Sequence, residues 1–213
     1  MEFPSFTAKP FYVRFFKVLL TPAHEFYYCG GVPLYELIRK EEIEKIVAEL
    51  ASVINTDYSG QGVDSIIVVS VLKGSFLFCA DLVRKLTVPR MKLLEFVGAS
   101  SYEGTKSTGV VRFSEDFSRL NIRGAHVLVI EDIVDTGRTL ARLKEELLKL
   151  KPASVRIVTF LDKPMKREVP MEADYVGRVV DGGAFVVGYG MDWNDLYRNL
   201  PSVMVIQDGD LKK

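Results

Sequence analysis

The sequence predicts an α/β fold with a central, mostly parallel sheet flanked by helices. Three observations carry that expectation. Two short apolar runs, Ser65–Leu72 (SIIVVSVL) and Val127–Ile130 (VLVI), are too hydrophobic for edge strands and read as buried ones. Stretches with helical spacing of apolar residues lie between such runs, and strands alternating with helices pair in parallel through crossover connections. Each of the two runs also ends in a turn of small residues that opens a helix, Lys73-Gly74-Ser75 after the first and Thr136-Gly137-Arg138-Thr139 after the second. Ligands of open α/β sheets bind at the C-terminal ends of strands, so both turns aim at one crevice.

In chain order, residues 1–34 are rich in Phe, Tyr, Pro and Gly and read as an irregular segment or short strands, forming a subunit contact or an edge of the site. Residues 35–54 place Leu37, Ile38, Ile43, Ile46, Val47, Leu50, Val53 and Ile54 largely on one face, which predicts an amphipathic helix. A second helix is expected over Phe76–Leu86, stopping before Pro89, then a strand over Met91–Val97. Residues 98–118 mix small, polar and charged types over a span too long for a tight turn. They read as a functional loop or an exposed hairpin. Further strands are expected at Val110–Phe113, Val155–Leu161, Tyr175–Val180, Phe185–Val187 and Val203–Ile206. Leu140, Leu143, Leu147 and Leu150 mark a helix over Arg138–Leu150. The division expected is residues 1–34 as an appended segment and residues 35–213 as one domain.

Composition narrows the function. Of 213 residues, 48% are hydrophobic, enough for one sizeable core. The 28 basic and 28 acidic residues cancel, so no global field draws nucleic acid or an anionic membrane, and phosphate recognition has to be local. Cys29 and Cys79 have no metal-ligand spacing and suggest a reducing compartment. His24 and His126 are too few for a zinc site, and His126 reads as the entry to a strand. There is no apolar run of membrane-spanning length and no secretory signal at the first residues, so a soluble, cytoplasmic protein is expected.

The chemistry concentrates in residues 127–139, VLVIEDIVDTGRT. A buried strand runs into Glu131 and Asp132, then Asp135, then a small-residue turn into a helix N-terminus. Free amides and two hydroxyls there suit a phosphate. Carboxylates beside a phosphate cradle make sense when they serve hydroxyls, a proton or a metal, and a phosphorylated sugar with vicinal hydroxyls and Mg²⁺ supplies all three. A P-loop would need a following Gly-Lys-Ser/Thr and a dinucleotide loop would need G-x-G-x-x-G; neither is present. The plain alternative is an acidic cap on an ordinary helix. An apolar strand, two acids and D-[ST]-G-x-T resembles the phosphoribosyl diphosphate (PRPP) motif of the type I phosphoribosyltransferases.

Other segments extend the resemblance over roughly residues 65–206. Lys73-Gly74 matches the family's pyrophosphate loop, and the resemblance implies a cis peptide between Leu72 and Lys73. Ser101-Tyr102 matches the Ser-Tyr of a mobile loop that closes over the reacting sugar in purine-specific members. Lys163, in LDKP, and Phe185, Val186 and Asp192, in FVVGYGMD, form a set fit for a flat neutral heterocycle, with Phe185 as a stacking face and Lys163 as a donor. Taken singly, Lys163 reads as surface charge and FVVGYG as a core strand. In this order they resemble the 6-oxopurine segment of the hypoxanthine-guanine members, and Arg198 follows where that family reaches pyrophosphate. Trp193, where Tyr is more usual, and Gly98, where some members carry Arg, depart from the pattern.

The resemblance implies a type I phosphoribosyltransferase fold with a small hood built partly from the termini, and a salvage reaction joining a 6-oxopurine to PRPP. It implies Asp135 as the group exchanging a proton at purine N7. Glu131, Asp132, Asp135, Thr136, Gly137, Arg138 and Thr139 would hold the ribose phosphate, and Lys73, Gly74 and Arg198 the pyrophosphate. Lys163, Phe185, Val186 and Asp192 would hold the base, and Glu131, Asp132 and Asp192 would face Mg²⁺. Small-molecule substrates are expected as partners, together with a homo-oligomer, dimer or tetramer. A xanthine-preferring enzyme and a non-catalytic nucleotide-binding regulator on the same fold remain as alternatives.

Overall fold

The structure, a computed structural model, describes residues 11–12, 26–29, 32–87, 90–103, 106–114, 116–180, 183 and 185–206. In chain order the elements are β1 (Phe11–Tyr12), β2 (Phe26–Cys29), β3 (Val32–Ile38), α1 (Lys40–Gly60), β4 (Ser65–Leu72), α2 (Phe76–Val83), β5 (Arg90–Glu103) and β6 (Lys106–Phe113). There follow β7 (His126–Val134), α3 (Arg138–Lys149), β8 (Ser154–Asp162), β9 (Tyr175–Val179), β10 (Phe185–Val187) and β11 (Val203–Ile206).

The main sheet has the order β1-β9-β8-β7-β4-β5-β6 and is parallel except for β6. Strands β4 and β7 are buried on both faces, as their unbroken apolar runs require. Alternate residues enter two cores. Ile66, Val68, Leu128, Ile130, Val158 and Phe160 pack with α1 and α2, while Ile67, Val69, Val127, Val129 and Ile157 pack with Leu140, Leu143 and Leu147 of α3. The result is a three-layer α/β sandwich. A second, antiparallel sheet, β10-β11-β3-β2, combines strands from both ends of the chain into a hood with its own small core of Leu34, Val187, Tyr197, Met204 and Ile206.

Several sequence expectations are corrected here. The first helix begins at Lys40, not at 35, because Leu34–Ile38 pair with β11 on one side and β2 on the other. Leu37 and Ile38 fit a helical stripe and a strand equally well, and tertiary pairing decides. The helix starts with the Arg39 amide donating to the Glu42 carboxylate at 3.2 Å and continues to Gly60, with Tyr58 in the buried stripe. Helix α2 ends at Val83, short of the expected Leu86. Of the two readings of residues 98–118, loop or hairpin, the pairing of β5 with β6 supports the hairpin: the strands run antiparallel, with Tyr102 opposite Ser107. Strand β7 does not stop at Ile130 but runs to Val134, since β8 continues to pair beside it as far as Asp162.

That last correction positions the site. The β4–β7 ladder ends at Ser70–Ile130, whereas the β7–β8 ladder continues. From β4 the chain crosses to β5 on one side, and from β7 to β8 on the other, so the strand order reverses between β4 and β7. Such a switch point opens a crevice at the C-terminal strand ends. Glu131 and Asp132 stand there.

Helix α1 approaches the sheet most closely over β9. A Cβ on Gly177 would lie 2.6 Å from the Phe160 carbonyl oxygen and 2.8 Å from Ile46 Cγ2. Gly177→Ala is therefore expected to destabilise the fold by about 1–3 kcal/mol, the usual cost of overpacking. Urea denaturation measures it; an unchanged midpoint would mean that α1 is free to move away.

Candidate active site

The turn Asp135-Thr136-Gly137 joins β7 to α3, and Gly137 takes a left-handed conformation (φ +82°) at the helix N-cap. Its missing side chain admits Arg167 and Met171, whose Cδ and Cβ would lie 3.1 and 3.0 Å from a Cβ there. The carbonyls of this turn point toward the following segment. Val134 O accepts from the Lys163 amide (2.9 Å) and from Arg167 Nη1 (2.8 Å), Asp135 O from Arg167 Nη1 (2.5 Å), and Thr136 O from the Glu168 amide (3.0 Å). The N-cap Gly137 offers no side-chain cap, and the Thr136 hydroxyl accepts from the Arg138 amide at 3.4 Å. A cavity of about 90 Å³ lies against Glu131, Ile133, Val134, Asp135, Thr136, Gly137, Thr139 and Leu140. First-turn amides and a small cavity together suit one phosphate group. A larger cavity, about 670 Å³, is lined by Asp162, Arg167, Met171 and Val176 among others and contains no residue of the acidic motif.

The acid pair sits at the edge of this cradle. Among the described residues Glu131 Oε2 is buried without a hydrogen-bond partner, and Asp132 Oδ1 accepts from the neighbouring Ile133 amide at 2.9 Å. Burial, reinforced by the Asp132 charge, pushes the Glu131 carboxyl well above its usual range. Burial also pushes Asp132 up to about 6, although nearby amides and Arg198 favour its charged form. Two carboxylates so poorly compensated suit hydroxyl donors or a cation. Among the described residues no cluster of three or more His, Cys, Asp or Glu could hold a metal unaided. The donor set therefore fits a hard divalent ion that also takes ligand oxygens and water.

Three segments converge on Asp132. The Leu72–Lys73 peptide is cis, as the resemblance implies. A Cβ on Gly74 would lie 1.9 Å from Asp132 Oδ2, and one on Gly190 (φ +98°) would lie 2.0 Å from the Gly74 carbonyl oxygen. Only glycines permit that contact. Arg198 donates to the Gly190 carbonyl (2.8 Å) and pairs with Asp192 (2.6 Å). Asp195, in a turn where Asn194 and Asp195 are both left-handed, lies between Lys73 Nζ (3.1 Å) and Arg198 Nη2 (3.4 Å). This anion between two cations was not legible as a site residue, because nothing in a D-W-N-D turn marks one acid above the other.

On the remaining side, Lys163 is no surface lysine: it is only 5% exposed. Burial lowers its pKa, while the Asp135 charge pulls the other way. Phe185 begins β10 and presents an exposed ring, and Val186 is buried. The structure thus brings Glu131, Asp135, Thr136, Gly137 and Thr139 to one cavity, which Asp132 and Arg138 do not line, and links Lys163 to it through Val134. It sets Gly74 against Asp132, with the charges of Asp192 and Arg198 close enough to act on it, and Lys73 joins them through Asp195. Ser101 and Tyr102 lie on β5, and their side chains are outside the described residues. Arg167 has the most contacts with the turn, and sequence reasoning missed it.

The model of the phosphoribosyl transferase domain matches residues 35–194, which include every residue of this crevice named above except Asp195 and Arg198. The chain belongs to that family. It is similar to the hypoxanthine-guanine phosphoribosyltransferase of Aquifex aeolicus, with 41% identity over 179 residues that span 84% of this chain and 97% of the relative. A solved hypoxanthine phosphoribosyl transferase of Trypanosoma cruzi is 41% identical with a TM-score of 0.74, covering 86% of this chain and 94% of that one. A hypoxanthine-guanine phosphoribosyltransferase of Bacillus anthracis is 40% identical with a TM-score of 0.71, covering 80% and 96%.

The raised carboxyl pKa of Asp132 has a measurable consequence. A folded-state pKa of about 6 against about 3.9 in the unfolded chain means that the native state binds this proton more tightly. Its stabilising effect is complete below the unfolded value and is lost as pH rises toward 6. Asp132→Asn is expected to remove that decline and to melt higher than the parent at neutral pH without ligand. Melting curves between pH 4 and 7 test this, and equal slopes for both proteins would contradict it.

Proposed function

We propose that this chain transfers the 5-phosphoribosyl group of PRPP to N9 of a 6-oxopurine, hypoxanthine or guanine, releasing IMP or GMP and pyrophosphate. Residues 35–213 would form the catalytic domain. One observation carries the reading. At the crevice between β4 and β7 a small cavity at the start of α3 adjoins a buried carboxylate pair, and Gly74 packs that pair against the turns that carry Lys73 and Arg198.

In this reading the 5′-phosphate rests on the amides of the Asp135–Thr139 turn, and Glu131 and Asp132 accept hydrogen bonds from the ribose hydroxyls. Those hydroxyls supply the donors that the buried Glu131 oxygen otherwise lacks. Lys73 and Arg198 neutralise the pyrophosphate, whose departure leaves an oxocarbenium-like sugar. The carboxylates stabilise that positive charge through a low-dielectric site. Mg²⁺, when bound beside Glu131, Asp132 and Asp192, supplies further charge neutralisation for the leaving group. Asp135 accepts the proton from purine N7 as N9 bonds to C1′. Lys163, held near Asp135, donates to the 6-oxo group, and Phe185 offers its ring face to the base. Ser101 and Tyr102 would close over the sugar and exclude water.

We also infer a cytoplasmic homo-oligomer. Among the described residues no helix is long and apolar enough to cross a membrane. The Trypanosoma cruzi relative was solved to address how its C-terminal region affects oligomeric state.

The base assignment is tested by kcat/KM for hypoxanthine, guanine and adenine with the parent chain and Lys163→Ala. Adenine's 6-amino group offers Lys163 a second donor where a 6-oxo group accepts, and such hydrogen-bond mismatches cost about 10⁴–10⁵ in specificity. Adenine should be negligible, and Lys163→Ala should slow both 6-oxopurines far more than it weakens PRPP. Adenine turnover equal to that of hypoxanthine would defeat the assignment.

Asp135→Asn should leave PRPP affinity within a few-fold and lower kcat by about 10²–10⁴, the range for a lost acid–base group. Turnover near the parent value would overturn the acid–base role of Asp135.

A further inference from the structure

Arg167 follows the short 3₁₀ turn after Lys163 and has its side chain only 15% exposed, paired with the nearly buried carboxylate of Asp162. Its guanidinium has four acceptors. Nη2 donates to Asp162, Nε to the Met171 carbonyl (2.9 Å), and Nη1 to the carbonyls of both Val134 (2.8 Å) and Asp135 (2.5 Å). Arg167 touches neither the cation pair Lys73–Arg198 nor, through any of these bonds, the acid pair.

A peptide group is planar and trans, so its N–H points opposite to its C=O. Fixing the carbonyl of one residue therefore aims the amide of the next. Val134 O is held twice, by the Lys163 amide and by Arg167, and Thr136 O is held by the Glu168 amide. Asp135 O is held by Arg167. Rotation of the Asp135–Thr136 peptide would turn the Thr136 amide away from the cradle and move the Asp135 side chain with it. We propose that Arg167 is a positioning residue for phosphoribosyl binding and transfer: its guanidinium locks the Asp135–Thr136 peptide plane, and Asp162, the residue before Lys163, locks the guanidinium. One ion pair then couples the phosphate cradle to the base-side lysine. The inference rests on the function proposed above. Lysine cannot replace arginine here, because a point ammonium lacks the planar fork that reaches two adjacent carbonyls and a carboxylate together.

The test compares the parent, Arg167→Lys, Arg167→Met and Asp162→Asn. Ribose 5-phosphate probes the cradle, pyrophosphate probes the Lys73–Arg198 side, and steady-state constants are measured with PRPP and hypoxanthine. A displacement near 1 Å at a reacting group costs about 10². Both Arg167 variants are expected to bind ribose 5-phosphate about ten- to a hundredfold more weakly and to lose kcat, with pyrophosphate affinity within about twofold. Asp162→Asn keeps the guanidinium but frees it, and should move ribose 5-phosphate the same way by less. In a third Arg167 variant, Arg167→Ala, added guanidinium ion should restore part of the lost kcat. Melting temperatures identify variants that merely unfold; if all Arg167 variants do, Asp162→Asn and the exchange rate of the Thr136 amide decide. Equal losses for both ligands, or ribose 5-phosphate affinity and kcat within twofold of the parent in a folded variant, would overturn the inference. A parent that binds ribose 5-phosphate through Arg167 yet never turns over hypoxanthine would instead overturn the proposed reaction and leave the positioning role in place.

Discussion

Two carboxyl groups buried with too few donors are the constraint around which the crevice is organised. Glu131 and Asp132 begin the part of β7 that β4 no longer covers, and burial raises both pKa values. A fold that keeps such groups accepts a cost in the empty state, because isolated charges in a low dielectric need partners. The return comes when a ligand brings hydroxyls or a cation to them. Preorganised groups of this kind cost no further reorganisation at the moment of reaction. The amide cradle and the cations nearby are consistent with that use, since a sugar phosphate is negative at both ends and becomes positive at its centre during transfer.

Glycine makes the convergence possible. Gly74 lies against the Asp132 carboxylate and Gly190 against the Gly74 carbonyl, each closer than any Cβ would allow. Three segments far apart in sequence, the turn after β4, the strand end of β7 and the turn after β10, thus meet without intervening side chains. Tyr189, between two left-handed glycines and itself left-handed, donates through its hydroxyl to Asp81 of α2 at 2.8 Å. That bond ties the 188–192 turn to the helix following Lys73, so the two turns are braced by the same element.

Much of this was legible in the sequence, for identifiable reasons. Buried parallel strands have no polar face, so Ser65–Leu72 and Val127–Ile130 declare themselves, and a strand running into acids, small residues and a helix is a dense local pattern. The failures share a different cause. The start of α1 was misplaced because Leu37 and Ile38 suit two periodicities and only pairing with β2 and β11 decides. Strand β7 was cut short because acids look like a strand's end, while its continuation depends on the β8 ladder. Arg167 and Asp195 were invisible because their importance lies in which carbonyls and cations they meet across the fold. Lys163 looked like surface charge when taken singly, since burial is a property of the tertiary structure.

The ligand-free arrangement also bears on exchange. Lys73 and Arg198 share Asp195, yet Lys73 and Asp195 are 70% and 73% exposed in their side chains. An ion pair so open to water is held only weakly. In the proposed reading Asp195 would be a placeholder that orients the two cations without holding them tightly. A polyphosphate entering between them would displace one weakly held carboxylate and gain several charge-assisted contacts. On its departure Asp195 would return to Lys73, while Arg198 keeps Asp192 throughout. The buried Arg167–Asp162 pair behaves oppositely: removing either partner would strand a charge with little water. One side of the crevice is thus built to exchange its anion and the other to stay fixed, which matches a reaction in which pyrophosphate leaves while the sugar phosphate remains.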